Sequence, residues 1–171
     1  MVLRALTAAL VRPFGYTTVR TPRGFRISRR HSQELVYLHD YAGGYEEYRA
    51  TQVFHNQRKL DAVWADEGTL QALATHLLQH HPEPRAGICH GARNGYEVEL
   101  LGRLTGAKMI GTDIAETATR FPNMVVWDFH QDNPEWHGRF DFVYTNSLDQ
   151  AMQPQRALAA WARQLAPGGH I

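Results

Sequence analysis

The chain has 171 residues, 43% of them hydrophobic and 20% charged, with a formal net charge of +1. That length and balance suit one globular domain with a real core and exclude wholesale disorder. A single cysteine, Cys89, excludes an internal disulfide and points to a reducing, cytoplasmic setting.

The near-neutral sum conceals a division. Residues 1 to 33 carry seven Arg and no acid, whereas the remainder has eleven basic and seventeen acidic residues. A basic arm therefore precedes a mildly acidic body. Leu3, Leu6, Leu10 and Val11 fall at helical spacing and read as a helix packed on its own domain or lying on a membrane surface; an Arg-rich, acid-free start also has the look of a transit peptide. Peripheral contact with an anionic membrane through this arm is one expectation. No run approaches the roughly 20 apolar residues that a spanning helix needs. With no RNA- or DNA-binding module in the sequence, seven Arg give only weak electrostatic support for a nucleic-acid partner.

Pro13 and Gly15 close that first pattern. Tyr16 to Arg20 and Phe25 to Ile27 alternate around Thr21-Pro22-Arg23-Gly24 as a small hairpin, and Gly43-Gly44 breaks a Tyr-rich stretch. Residues 1–48 are read as an N-terminal helical and hairpin appendage, and residues 49–171 as the main domain. A helical pattern runs from Tyr48 through Val53, Phe54, Leu60, Val63 and Trp64. Another follows Asp66, with Leu70, Leu73, Leu77 and Leu78 on one face, and Pro82 and Pro84 end it. His76 and His80 share one helix face at i, i+4. The Glu of an H-E-x-x-H zinc motif is absent, so they read as a solvated helix end and no metal is expected.

Beyond Pro84 the pattern alternates. A strand at Ala86 to Cys89 stops in His90-Gly91-Ala92-Arg93-Asn94-Gly95, a helix covers about Tyr96 to Leu104, and strands follow at Met109 to Thr112, Met124 to Trp127 and Phe140 to Thr145. A last helix at about Pro154 to Leu165 runs into Pro167-Gly168-Gly169. Strands separated by helices predict a Rossmann-like α/β fold, a doubly wound and mostly parallel sheet with right-handed crossovers. The Pro-Gly-Gly turn reads as the approach to a further strand of which Ile171 alone remains, so the C-terminal strands are expected to be missing. A strand that ends in a Gly-rich turn and opens a helix, followed 22 residues after Gly91 by the strand-end acid Asp113, is a common way to hold a nucleoside.

In this order the pieces over residues 84 to 171 resemble the class I S-adenosylmethionine-dependent methyltransferases, in the manner of the type 11 methyltransferases, with an apparent truncation at the C-terminus. The family's acidic residue and G-x-G-x-G turn correspond to Cys89-His90-Gly91-Ala92-Arg93-Asn94-Gly95. Cys89 stands at the acidic position and Arg93 at the middle Gly. The resemblance implies S-adenosyl-L-methionine as cofactor, with contacts from Gly91, Ala92 and Gly95 and with Arg93 pairing its carboxylate. It makes Asp113, beside Ile114, the acceptor of both ribose hydroxyls, a role that disfavours a 2′-phosphate. Asp128 would take the adenine amine, with Phe129 as the flanking ring. Asn146 and Ser147, on the loop after the fourth strand, would touch the methionine end or the substrate. His130 and Asp149 are the candidate catalytic bases, whereas His90 reads as a residue that orders the backbone. The implied activity is methyl transfer to a small-molecule or glycan-like acceptor. The alternatives are a non-catalytic module that binds S-adenosylmethionine or a nucleoside, and an NAD-dependent enzyme, for which the Gly91 and Gly95 spacing matches G-x-G-x-x-G poorly.

Overall fold

Short, largely apolar segments with little exposure, Ala86–His90 and Phe140–Thr145, supply the middle of the central sheet. The computed structural model describes Thr7, Leu10, Val11, Pro13, residues 16–21 and 24–29, and residues 41–171. The helical spacing built on Leu3 and Leu6, and the Pro22-Arg23 turn, lie outside the described residues. The chain divides into two compact units, Met1–Phe54 and His55–Ile171.

In the first unit β1 (Tyr16–Thr21) pairs antiparallel with β2 (Gly24–Arg29), Thr21 standing opposite Gly24. Helix α1 (Gly44–Arg58) begins here with Glu46 and Glu47 in its first turn, where negative charge suits the helix dipole. Glu47 meets Arg26 at 3.6 Å. Tyr48 is buried, and Tyr41 packs edge-on against it at 5.4 Å.

In the second unit α1 ends at Arg58, so Leu60, Val63 and Trp64 belong to a connection rather than to the helix. Helix α2 (Glu67–His80) starts where the sequence placed it: Asp66 accepts the Thr69 backbone N–H at 2.9 Å and its hydroxyl at 2.7 Å. Its inward stripe is Leu70, Ala74 and Leu77, while Leu73 is 44% exposed.

The sheet comprises β3 (Ala86–His90), β4 (Lys108–Asp113), β5 (Met124–Val126), β6 (Phe140–Thr145) and β7 (Leu165–His170). Its order is β5-β4-β3-β6-β7 and every pairing is parallel. Helix α3 (Tyr96–Thr105) packs with α2 on one face, over Cys89, Met109, Met124 and Phe142. Helix α4 (Pro154–Gln164) covers the other, its Ala157, Ala160 and Trp161 set against Ile88 and Val143. Asp141 ties the strand starts together, accepting the backbone N–H of Arg85 at 2.5 Å and of Ala86 at 2.9 Å.

One expectation needs correction. The segment with Pro167-Gly168-Gly169 is not only a turn toward a later strand, since Leu165–His170 itself pairs with β6. The register slips between Phe140 and Phe142, because Pro167 has no N–H to give and the two glycines follow without side chains to anchor the strand. No helix among the described residues is long and apolar enough to cross a membrane.

The chain runs from β3 outward to β4 and β5, then returns to place β6 on the other side of β3. This reversal is the topological switch point at which doubly wound sheets open a crevice beyond the carboxyl ends of their strands.

Candidate functional site

The carboxyl ends of β3, β4, β5 and β6 bring most of the implicated residues to one edge of the sheet. At the end of β3, Gly91 has φ +71° and Gly95 φ +73°, left-handed values that glycine takes without strain. Between them Arg93 also stands at φ 42°. The turn is tied to β4, with Ala92 N–H donating to Thr112 O at 2.9 Å and Arg93 N–H to Asp113 Oδ2 at 3.0 Å. Gly91 has a packing reason of its own. A Cβ there would lie 2.6 Å from Ser147 Oγ and 3.7 Å from Phe129 Cε1, so the missing side chain makes room for neighbours in the same chain. Ser147 fixes that contact by donating to Gly91 O at 3.3 Å.

Asp113 is 3% exposed. Oδ1 accepts the Ala115 N–H at 2.9 Å and the Asn56 side-chain amide at 2.6 Å, while Oδ2 accepts from Arg93. Burial pushes its carboxyl above the usual range, against these hydrogen bonds and the nearby Arg93 charge. The side chain of Arg93 faces the connection after α1: Nε donates to Asn56 Oδ1 at 3.3 Å, and its guanidinium donates to Lys59 O at 3.4 Å and Ala62 O at 3.2 Å. Asn94 donates to Leu60 O at 3.0 Å.

At the β5 end, Trp127 N–H donates to Asp113 O at 2.9 Å, which sets Asp128 next to the β4 terminus. Asp128 Oδ1 accepts the His130 backbone N–H at 2.9 Å and its ring Nδ1–H at 2.7 Å. Asp128 Oδ2 is buried and has no hydrogen-bond partner among the described residues. A buried carboxylate oxygen without a donor is costly and asks what group completes it. Phe129 lies beside it, its ring edge-on to Trp161 at 5.4 Å and its carbonyl accepting Trp161 Nε1–H at 3.1 Å.

The remaining residues sort by contact. His130 is 3% exposed, and its second ring nitrogen, Nε2, accepts the Gln153 N–H at 3.4 Å, so both nitrogens are engaged. Ile114 is half-buried next to Asp113. Asn146 and Asp149 are exposed beyond β6. His90 is fully buried and stacks on Trp161 at 5.2 Å. It accepts from Thr112 Oγ1 and donates to Gln164 Oε1, both at 2.9 Å, and burial lowers its pKa to about 4. It is a neutral bridge between β3, β4 and α4. Asn56 was not foreseen: it lies 57 residues before its partner Asp113 in the polar run His55-Asn56-Gln57-Arg58, where neither periodicity nor motif marks it.

No protein-family profile matches this chain, and no curated protein sequence matches it. Solved structures do. The 1,6-didemethyltoxoflavin-N1-methyltransferase of Burkholderia thailandensis, solved with S-adenosylhomocysteine, superposes with a TM-score of 0.58 at 19% identity, covering 79% of this chain and 64% of its own. The fold is that of the class I methyltransferases. A sugar N-methyltransferase from a Streptoalloteichus species gives a TM-score of 0.54 at 16% identity over 83% of this chain and 57% of its own. A structure described as the cyclase SpnF gives 0.52 at 16% identity, over 72% of this chain and 56% of its own. The chain thus spans less than two thirds of each of these proteins. One architecture serves methyl transfer and cyclisation among these neighbours, so the reaction has to be argued from the site.

Proposed function

We propose that the carboxyl edge of the sheet holds S-adenosylmethionine and that the protein transfers its methyl group to a small-molecule or glycan-like acceptor. The observation that carries this reading is Asp128 Oδ2, a buried acceptor without a donor among the described residues, at the position that the family resemblance gives to the adenine amine. A nucleoside amine satisfies that oxygen, and Phe129 beside it offers an aromatic surface for the base. Asp113 would accept from the ribose. The main-chain groups of the Gly91–Gly95 turn, at the start of α3, would face the methionine end.

When bound, the cofactor supplies an electrophilic methyl group on a sulfonium. What the chain contributes is position: an in-line displacement gains mainly from holding donor and acceptor aligned. His130 is not free to take a proton, since its nitrogens serve Asp128 and Gln153. Asp149, exposed after β6, is the carboxylate left to receive one. That arrangement suits an acceptor that is nucleophilic before it loses a proton, such as a neutral amine, and two of the structural neighbours are described as N-methyltransferases.

The second reading, a nucleoside-binding module without turnover, draws on Ser147 filling the space at Gly91 and Asn56 occupying Asp113. Calorimetric titration with S-adenosylhomocysteine, followed by mass-spectrometric turnover assays with S-adenosylmethionine and a panel of amino sugars and small amines, tests both. Binding with methylated product supports the enzyme. Binding without product across the panel supports the module, and no binding at millimolar ligand refutes the cofactor site.

A further inference from the structure

We infer that residues 55–64 form a latch on the ribose end of the cofactor site, with Asn56 holding Asp113 in place of a ribose hydroxyl and giving way when the cofactor binds; this rests on the cofactor reading above. A carboxylate offers about four acceptor positions. Three of those on Asp113 are taken, by Ala115 N–H, Arg93 N–H and the Asn56 amide. Two ribose hydroxyls need two positions, so one present donor has to leave.

The backbone donors cannot leave without dismantling the turns after β3 and β4. Asn56 is a side-chain donor on the last full turn of α1, and a rotation or a small movement of that turn releases it. Its amide donor, 2.6 Å from Oδ1, meets the carboxylate as a hydroxyl donor would.

The surrounding contacts make one device of the segment. Arg93, in the cofactor turn, donates to Asn56 Oδ1 and to the carbonyls of Lys59 and Ala62, and Asn94 donates to Leu60 O. These bonds run from 3.0 to 3.4 Å; the one to Lys59 O lies at the surface and the other three are half-buried. Little apolar area holds the segment down: Val63 is 48% and Trp64 61% exposed. The Trp64 ring lies beneath the Lys59 ammonium at 5.2 Å and the Arg93 guanidinium at 6.0 Å, cation contacts that travel with the segment or break singly. Segments held by few apolar contacts and solvent-exposed hydrogen bonds are those that open locally.

A closed latch taxes affinity, because the ligand sees only the open fraction. Removing the latch therefore tightens binding, the reverse of removing a ligand contact. Wild type, Asn56→Ala and Asp113→Ala are titrated with S-adenosylhomocysteine, each shown folded by its thermal melt, and hydrogen exchange of the Lys59 and Ala62 amides is followed with and without ligand. Asn56→Ala is expected to bind at least threefold more tightly than wild type and Asp113→Ala more weakly, and ligand should speed exchange at both amides in the wild type. Asn56→Ala binding that is unchanged or weaker, while Asp113→Ala still loses affinity, overturns the latch and leaves the cofactor site standing. Amides that slow on ligand addition overturn it too. No binding by wild type and none by Asn56→Ala removes the cofactor reading and the latch together, whereas binding by Asn56→Ala alone supports both.

Discussion

Replacing Asp128 by Asn isolates the oxygen on which the functional reading turns. In the wild type Oδ1 already serves the His130 backbone N–H at 2.9 Å and ring Nδ1–H at 2.7 Å. An Asn at this position keeps its oxygen there, because the two donors orient the amide, and its NH2 replaces the donorless Oδ2. The local loop is preserved and one buried acceptor becomes a donor. If Oδ2 receives the adenine amine, the variant loses one hydrogen bond to a charged group, about 1.5–3 kcal/mol, or about 10- to 150-fold in Kd. S-inosylhomocysteine, with a carbonyl where adenine has its amine, should show the opposite preference, rejected by wild type and improved by Asp128→Asn. Isothermal titration of both proteins with both ligands reads all four affinities. An Asp128→Asn variant that binds S-adenosylhomocysteine as tightly as wild type, or that leaves the adenosine-to-inosine ratio unchanged, refutes the adenine assignment.

Asp113→Ala deprives three donors of their acceptor and should cost about 1–3 kcal/mol of stability as well as weakening S-adenosylhomocysteine; a variant as stable as its parent in urea melts would contradict the contacts drawn here. Gly91→Ala places a Cβ 2.6 Å from Ser147 Oγ at φ +71°, with an expected cost of about 1–3 kcal/mol that Ser147→Gly recovers only in part, since the backbone strain remains; full recovery would show that crowding alone makes the glycine necessary. His90 has a folded pKa of about 4 against an ordinary 6.5. The unfolded chain therefore binds the extra proton first, and this site contributes stability above pH 6.5 that is lost as pH falls toward 4, about 3 kcal/mol in all. The raised carboxyl of Asp113 acts in the opposite direction, so the test is a comparison: denaturant melts of wild type and His90→Asn at pH 7 and 5 should show a smaller acid loss in the variant, and equal losses would be incompatible with a buried neutral His90.

The fold was legible because its signals are local. Ala86 to Cys89 is an apolar run of strand length and Phe140 to Thr145 is one broken only by Asp141, Asp66 caps where an Asp caps, and Gly91 and Gly95 stand where the backbone turns left-handed. The end of α1 was not legible, since Leu60, Val63 and Trp64 continue a helical spacing although the chain there is bound by Arg93 and Asn94 from beyond the next helix. The last strand was hidden by Pro167-Gly168-Gly169, whose chemistry argues for a turn while the parallel neighbour β6 recruits it. The positions of Asp113 at the end of β4 and of Asp128 just past β5 were legible from the strand pattern. Occupancy did not follow from them: Asn56 on Asp113 and Ser147 against Gly91 are contacts over 57 and 56 residues. His130, read as a base from its loop position, is engaged at both nitrogens.

A crystal structure of the chain grown with S-adenosylhomocysteine tests the central claim most directly. The account predicts the adenine amine within hydrogen-bond distance of Asp128 Oδ2, the ribose on Asp113 and Asn56 swung away. Ligand density elsewhere on the molecule, or Asp128 Oδ2 completed by a group of the protein itself, would contradict it.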